Sequence, residues 1–315
     1  MEEKQPIQLD ERIHLIDGFD LGVSERTGSY VINEEDLTIV ETGPSPSIKH
    51  VKEGLKSLGF SLEEVKYIIV THIHLDHAGG AGLLLRDCPN ATIVVHPRGE
   101  KHLVNPKKLA ASARAVYGES FSDLFDPIIS VDADRLLVKG EGDTLKIGPE
   151  CTLEFLDTPG HAKHHFSIYD PVSRGMFTGD TVGIRYEQLI REGVDLFLPT
   201  TSPNQFDPNA MQAAINRMMG MKLERIYYGH FGVTEKTNQA LRQVSEWLDV
   251  FVEVGEQIVA ERKGYDDLAQ ALLGKVRQHL REFGIPDDHE AYIVINLDMK
   301  VSALGMIDYF KKLKQ

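Results

Sequence analysis

"IIVTHIHLDHAGG", residues 68–80, places three histidines and an aspartate in six positions directly after an apolar strand. His72, His74, Asp76 and His77 cannot serve a core at that spacing. Four polar side chains so close together belong either on a solvated loop or around a metal. A loop leaving a strand can turn several side chains toward one point, which a regular helix cannot do. Imidazole suits zinc, iron and related ions, and carboxylate is a harder oxygen ligand. These groups would crowd one tetrahedral ion and leave no room for water. They read instead as shared between two neighbouring ions, as in two-metal hydrolytic sites.

A two-metal site needs further ligands, and they are expected at other strand ends. "TPGHAKHH" follows a strand and offers His161, with His164 and His165 nearby. "MFTGDT" ends a strand with Asp180, and "IYYGHFG" ends one with His230. Each candidate stands where a strand meets a loop, often beside glycine, which permits close backbone approach. One carboxylate between two ions can bridge them, and Asp180 is the natural choice.

Around these segments the chain reads as alternating strands and helices. "RIHLIDGF", "GSYVIN" and "LTIVET" are short strands broken by Gly, Asn and Asp. "PSPSIKHVKEGLKSLG" has helical apolar spacing at Ile48, Val51, Leu55 and Leu58 and a stop at Gly59. Residues 98–125 read as helical, "LLVKGEGDTLKIG" as hairpin-like, "FSIYDPVSRGMFTGD" as two strands around a turn, and 182–207 as irregular. From about residue 234 the spacing turns helical. The expected organisation is a catalytic domain over 1–233 and a helical extension over 234–315. The extension covers apolar surface and part of a pocket wall, with a lid or homodimer surface as the alternative.

Composition narrows the function classes. The chain has 315 residues, 42% hydrophobic, enough for a sizeable core. It has no apolar run long enough to span a bilayer and no apolar stretch near its start, so a cytoplasmic protein with no membrane partner is expected. Its formal net charge of −14 lacks the basic footprint of a nucleic-acid binder. Cys88 and Cys151 read as two buried thiols rather than a disulfide.

The segments "THIHLDHAGG", "TPGHAKHH", "FTGDT" and "YYGH", in that order over residues 71–230, resemble the metallo-β-lactamase-fold superfamily of metal-dependent hydrolases. "GSYVI" and "ETGPSPS" resemble its opening strands, although an aspartate usually stands where this chain has Glu41. The resemblance implies an α+β fold, a four-layer αββα sandwich with a helical C-terminal appendage. It implies that His72, His74 and His161 hold one metal, that Asp76, His77 and His230 hold the other, and that Asp180 bridges them with a water or hydroxide. A water between two cations loses its proton near neutral pH and becomes the nucleophile. Asp76 and Asp180 are then catalytic as well as ligating. His165 falls where thioesterase-like members carry a second histidine in Gly-His-x-x-x-His, as a donor on the oxyanion side or a support for the ligands.

Asp180 argues against a true β-lactamase, His74 against an electron-transfer diiron protein, and the short insertion against the large nuclease branches. What remains resembles the glyoxalase-II-like and lactonase-like branch. The expectation is a dinuclear hydrolase of an ester, lactone or thioester of a small molecule, with two divalent ions, zinc first and iron or manganese as alternatives. A phosphodiesterase, a single-iron sulfur dioxygenase and a non-catalytic metal-binding protein are the competing readings. The last conflicts with a ligand set lacking cysteine, since structural zinc sites are closed and usually cysteine-rich.

Overall fold

The structure, a computed structural model, describes residues 4–314. The chain forms two compact units. The first takes in residues up to Asp157, then His164–Gly179 and Glu224–Glu235. The second takes in Thr158–Lys163, Asp180–Leu223 and everything from Lys236 onward. The expected boundary at residues 233 and 234 is a single cut in sequence, whereas both units are discontinuous in sequence.

The first unit is built on two sheets. One has seven strands in chain order: β1 (Ile7–Gln8), β2 (Ile13–Asp17), β3 (Gly28–Ile32), β4 (Leu37–Val40), β5 (Val65–Ile69), β6 (Thr92–Val95) and β7 (Leu136–Val138). The pairs from β1 to β4 are antiparallel, and those from β4 to β7 are parallel. The other sheet contains β8 (Thr144–Lys146), β9 (Thr152–Asp157), β10 (Phe166–Asp170) and β11 (Gly175–Gly179). It also holds β14 (Arg225–Tyr228) and β15 (Val233–Thr234), in the order β15-β14-β11-β10-β9-β8, with β11 and β14 parallel.

Side-chain alternation sorts the first sheet into two faces. Tyr30, Ile32, Val40, Ile69 and Val94 meet Phe155, Phe166, Ile168, Phe177 and Tyr227 of the second sheet in one core. Tyr30, Phe177 and Tyr227 form an aromatic cluster with ring centroids 4.5–5.6 Å apart. Their neighbours in sequence, Val31, Ile39, Ile68, Ile93 and Val95, face outward. They are covered by α1 (Ile48–Ser57) through Ile48, Val51 and Leu55, and by α3 (Ala81–Asp87) through Ala81, Leu84 and Leu85. Strands buried on both faces read as continuous apolar runs, which is why "YIIV" and "TIVV" carry no polar alternation. A four-residue turn of helix, α2 (Leu75–Ala78), lies in the histidine loop itself.

The helical reading of 98–125 resolves into α4 (Glu100–Val104), α5 (Lys107–Tyr117) and α6 (Phe121–Phe125). Phe121 and Phe125 pack on Leu75, between two ligand candidates. The hairpin-like stretch 136–148 is not a hairpin. β7 runs parallel to β6 in one sheet, and β8 pairs with β9 in the other. The Gly-rich turn between them carries the chain from sheet to sheet. The two strands around Asp170-Pro171 do pair directly, as β10 with β11.

The second unit contains a short ribbon, β12 (Ile184–Arg185) with β13 (Phe197–Leu198), and five helices. These are α7 (Glu187–Arg191), α8 (Pro208–Met219), α9 (Thr237–Ala260), α10 (Tyr265–Glu282) and α11 (Ala291–Leu313). The segment read as irregular therefore holds a ribbon and a one-turn helix. α8 begins with Asp207 accepting from the Asn209 and Ala210 amides, with Pro208 in its first turn, a combination that satisfies amides lacking helical partners. α9 packs against α8, α10, α11 and β13. Tyr186, beside the ribbon, donates its hydroxyl to Asp298 of α11 at 3.0 Å. No helix among the described residues is long and apolar enough to cross a membrane.

Candidate metal centre

Parallel strands place their carboxyl ends on one edge of a sheet, the usual location of ligand sites in such sheets. In the first unit the segments after β4, β5 and β14 carry Glu41, the residues 72–77 and His230. Asp76, His77 and His230 form one cluster. Their ligand atoms all lie within 4.8 Å of one another. Asp76 Oδ2 is 3.7 Å from both His77 Nε2 and His230 Nε2, and the two imidazole rings are 5.1 Å apart. His77 and His230 are buried, while the Asp76 side chain is 25% exposed and so is the member that meets solvent.

His72 and His74 form a second arrangement. His72 Nε2 and His74 Nδ1 stand 3.0 Å apart. Two nitrogens bound to one tetrahedral zinc at 2.0–2.1 Å would be roughly 3.3 Å apart, so the pair is near chelating geometry. The hydrogen bonding behind His72 sets its tautomer. Glu41 Oε1 accepts from the Thr71 amide at 3.2 Å and, through a very short contact, from the Thr71 hydroxyl. With that proton committed, Thr71 Oγ1 can only accept from His72 Nδ1, 3.1 Å away. The proton sits on Nδ1 and the lone pair on Nε2, the atom that faces His74. A histidine held in this way is oriented as a metal ligand.

Glu41 was visible in sequence only as the stand-in for an aspartate. In the structure it is buried, with a left-handed φ of +67°, and belongs with His72 and His77 to another close ligand group. Its Oε2 lies 3.6 Å from His77 Nδ1. Sequence reading also missed Asp20. This buried residue binds Arg26 at 3.1 Å. Burial pushes its carboxyl above the ordinary range, the Arg26 charge opposes that shift, and the Asp76 charge adds to it. No local pattern marks Asp20, because it reaches the cluster from a turn rather than from a strand end.

His164 and His165, the latter a candidate catalytic residue, are both buried. His165 has no exposed surface, and its ring is 5.0 Å from that of His72. Gly179 permits this packing. It has φ +48°, and a Cβ there would lie 2.5 Å from both His165 Nε2 and Thr71 Oγ1. His164 stands edge-on to His74, with centroids 5.3 Å apart. Tyr117 packs against Phe125, Arg185 pairs with Glu187, Tyr186 bonds to Asp298, and Phe197 lies in the buried ribbon.

In the second unit His161 and Asp180 approach each other, with His161 Nε2 at 3.5 Å from Asp180 Oδ2. His161 Nδ1 is 3.1 Å from the Thr200 carbonyl oxygen, which can only accept, so Nδ1 carries a proton and, in the neutral ring, Nε2 holds the lone pair. A lone pair facing a carboxylate is favourable when a cation lies between them. The donor chemistry of both units therefore fits divalent metal. Cys88 and Cys151 are free and buried, with their thiols raised to about 12 chiefly by burial, and neither is in any of these groups.

Comparison with known proteins identifies the fold and the family. The protein ST1585 of Sulfurisphaera tokodaii, described as metallo-beta-lactamase fold-containing, is 27% identical over 72% of this chain and 82% of its own length. Its crystal structure superposes with a TM-score of 0.60 over 74% of this chain and 86% of that one. The metallo-beta-lactamase family protein TTHA1429 of Thermus thermophilus shares the fold over 98% of this chain and 95% of its own, with a TM-score of 0.69 at 17% identity. More partial matches are a hydroxyacylglutathione hydrolase of Nitrosococcus oceani (29% identical over 53% of this chain and 48% of that protein) and the N-acyl homoserine lactonase AttM of Agrobacterium fabrum (31% identical over 36% and 39%). The profile of the metallo-beta-lactamase superfamily, whose members are mostly metal-dependent hydrolases, matches residues 26–230. With its α+β sandwich, its C-terminal helices and its histidine–carboxylate clusters, the chain belongs to the metallo-beta-lactamase superfamily.

Proposed function

We propose that this protein is a hydrolase that binds two divalent cations and cleaves an ester, lactone or thioester bond of a small molecule. The buried cluster of Asp76, His77 and His230, with the oriented His72–His74 pair beside it in the same loop, carries the reading. In this reading His72, His74 and His161 hold one ion and Asp76, His77 and His230 hold the other. Asp180 links them. Zinc suits the imidazole-rich set, and iron or manganese would also fit its carboxylates.

Divalent cations held there would supply a bound water with a pKa lowered to about 7 and a Lewis acid for the oxygen of the bond to be cleaved. The protein's own groups do the rest. Glu41 and Thr71 hold His72 in the tautomer that presents Nε2, and Thr200 does the same for His161. Asp76 keeps Oδ2 between two imidazoles and is the partly exposed member of the cluster, so its carboxylate would orient the attacking water and accept its proton. His165 backs the His72 ring and keeps water from behind it. The names of the partial relatives, a hydroxyacylglutathione hydrolase and an N-acyl homoserine lactonase, support a carbonyl substrate.

The test is proton release by the metal-loaded protein against lactones, thioesters, simple esters and phosphodiesters, with Asp180→Asn as the blank. Turnover of one carbonyl class that disappears in the variant is the expected result. Turnover of phosphodiesters alone would move the assignment to that bond. Release unchanged by the substitution would sink the role of Asp180.

A further inference from the structure

We propose that helix α11 positions the ligand His161, through a backbone segment at residues 200–202 that the helix clamps. The inference rests on the reading of His161 as a metal ligand. The clamp begins at Gly305. A Cβ there would lie 2.8 Å from three backbone atoms, Ser202 N, Ser202 C and Thr201 C, so the segment lies directly against the helix where a side chain would otherwise stand. One turn earlier, the Thr201 hydroxyl donates to the Ser302 carbonyl at 2.6 Å, and the Thr201 amide points at Ser302 Oγ at 3.5 Å. Both residues are buried. One turn later, Asp308 accepts from the Asn204 amide at 3.0 Å, and Lys312 Nζ donates to the Asn204 carbonyl at 2.9 Å.

The clamped segment in turn holds His161 at two points. Thr200 O accepts a hydrogen bond from His161 Nδ1 at 3.1 Å, and Ser202 Oγ donates to the His161 carbonyl at 2.7 Å. Ring tautomer and backbone position are therefore both set by three residues that depend on a helix some 140 residues further along the chain. A hydrogen bond from the distal nitrogen to a carbonyl orients a ligating imidazole and raises its basicity, and loss of such a partner typically weakens metal binding 10–100-fold. A helix that merely covered apolar surface would affect stability and leave metal affinity unchanged. That difference separates positioning from packing.

The experiment uses the full chain. Thr201→Val removes the hydroxyl that reaches Ser302 while keeping shape, and Thr201→Ser restores it. Leu272→Ala, in the buried face of α10, is the packing control. Zinc stoichiometry and affinity are read by competition with a chromophoric chelator. The visible spectrum of cobalt-loaded protein and the thermal midpoint of metal-free protein are read alongside. Thr201→Val should weaken one zinc by about 10–100-fold, leave the other, and alter the cobalt spectrum. Thr201→Ser should bind as wild type, and Leu272→Ala should lower the midpoint yet retain both ions. Wild-type binding by Thr201→Val, or an equal loss in Leu272→Ala, overturns the proposal. If Thr201→Val does not fold, Ser202→Ala puts the same question at the hydroxyl that touches His161. His161→Ala separates the two layers. If it keeps both zincs at full affinity, the ligand reading fails and the clamp with it. If it loses one while Thr201→Val loses none, only the clamp fails.

Discussion

The two regions that carry the proposed ligands are built in opposite ways. In the first unit His72, His74, Asp76 and His77 leave a single buried strand within six residues, and their supports, Glu41 and Thr71, sit just past the adjacent parallel strand and on the loop itself. In the second unit His161 and Asp180 stand on short segments without regular structure, and His161 is held by residues 200 and 202 of a segment that contacts α11. A ligand set at a strand end inherits the rigidity of the sheet, while one on a short loop must borrow rigidity from distant residues. The first kind is written in local spacing. The second is written in contacts that span a hundred residues or more.

This contrast can be broken most severely by deleting residues 234–315. The deletion strips α9 from α8 and β13 and α11 from the 200–202 segment, and is expected to give insoluble protein. A soluble core with two bound metals would show that the second unit holds its ligands unaided. Next in size, Asp180→Asn should reduce turnover by more than about 100-fold, beyond the loss typical of residues that only support a ligand. Steady-state rates at fixed metal content check this. His230→Ala should then reduce metal content from two ions to one, since Asp76 and His77 lose their third partner. Metal analysis after dialysis showing two ions at unchanged affinity would reject the assignment.

The smallest effect concerns His96, at the end of β6, whose Nε2 lies 3.2 Å from Asp157 Oδ1. Burial lowers its pKa and the Asp157 charge partly opposes this. With the folded pKa below the unfolded value, the unfolded chain takes up the proton first. The stability contributed by neutral His96 is therefore complete above the ordinary histidine value near 6.5 and is lost as the pH falls through the folded pKa. His96→Gln should flatten the decline in thermal midpoint below that value. An unchanged slope would mean that His96 titrates alike in both states.

Much of the first unit was legible because period and punctuation are local. "VKYIIV" followed by polar clustering identifies a buried strand and its loop, and "PSPSIKHVKEGLKSLG" states both ends of α1. Partner choice was not legible. "LLVKGEGDTLKIG" has two apolar runs around glycines, as a hairpin would, but turn residues say only that the chain bends. They do not say that β7 takes β6 and β8 takes β9. The segment 182–207 hid its ribbon because two-residue strands are too short to show a period. Glu41 gained its place from pairing of β4 with β5, and the support of His161 from α11 has no local trace at all.

The division of the chain into units also dictates an order of manufacture. The backbone passes from one unit to the other after residues 157, 163, 179, 223 and 235. β11 is therefore synthesised well before β14, its parallel neighbour in the sheet. At 5–20 residues per second the interval is on the order of seconds. During that time one edge of β11 has no strand to pair with, and an unpaired edge invites pairing with another chain. A chain paused after β11 has emerged and before β14 is made would expose that edge, and a co-translational chaperone would have reason to bind there.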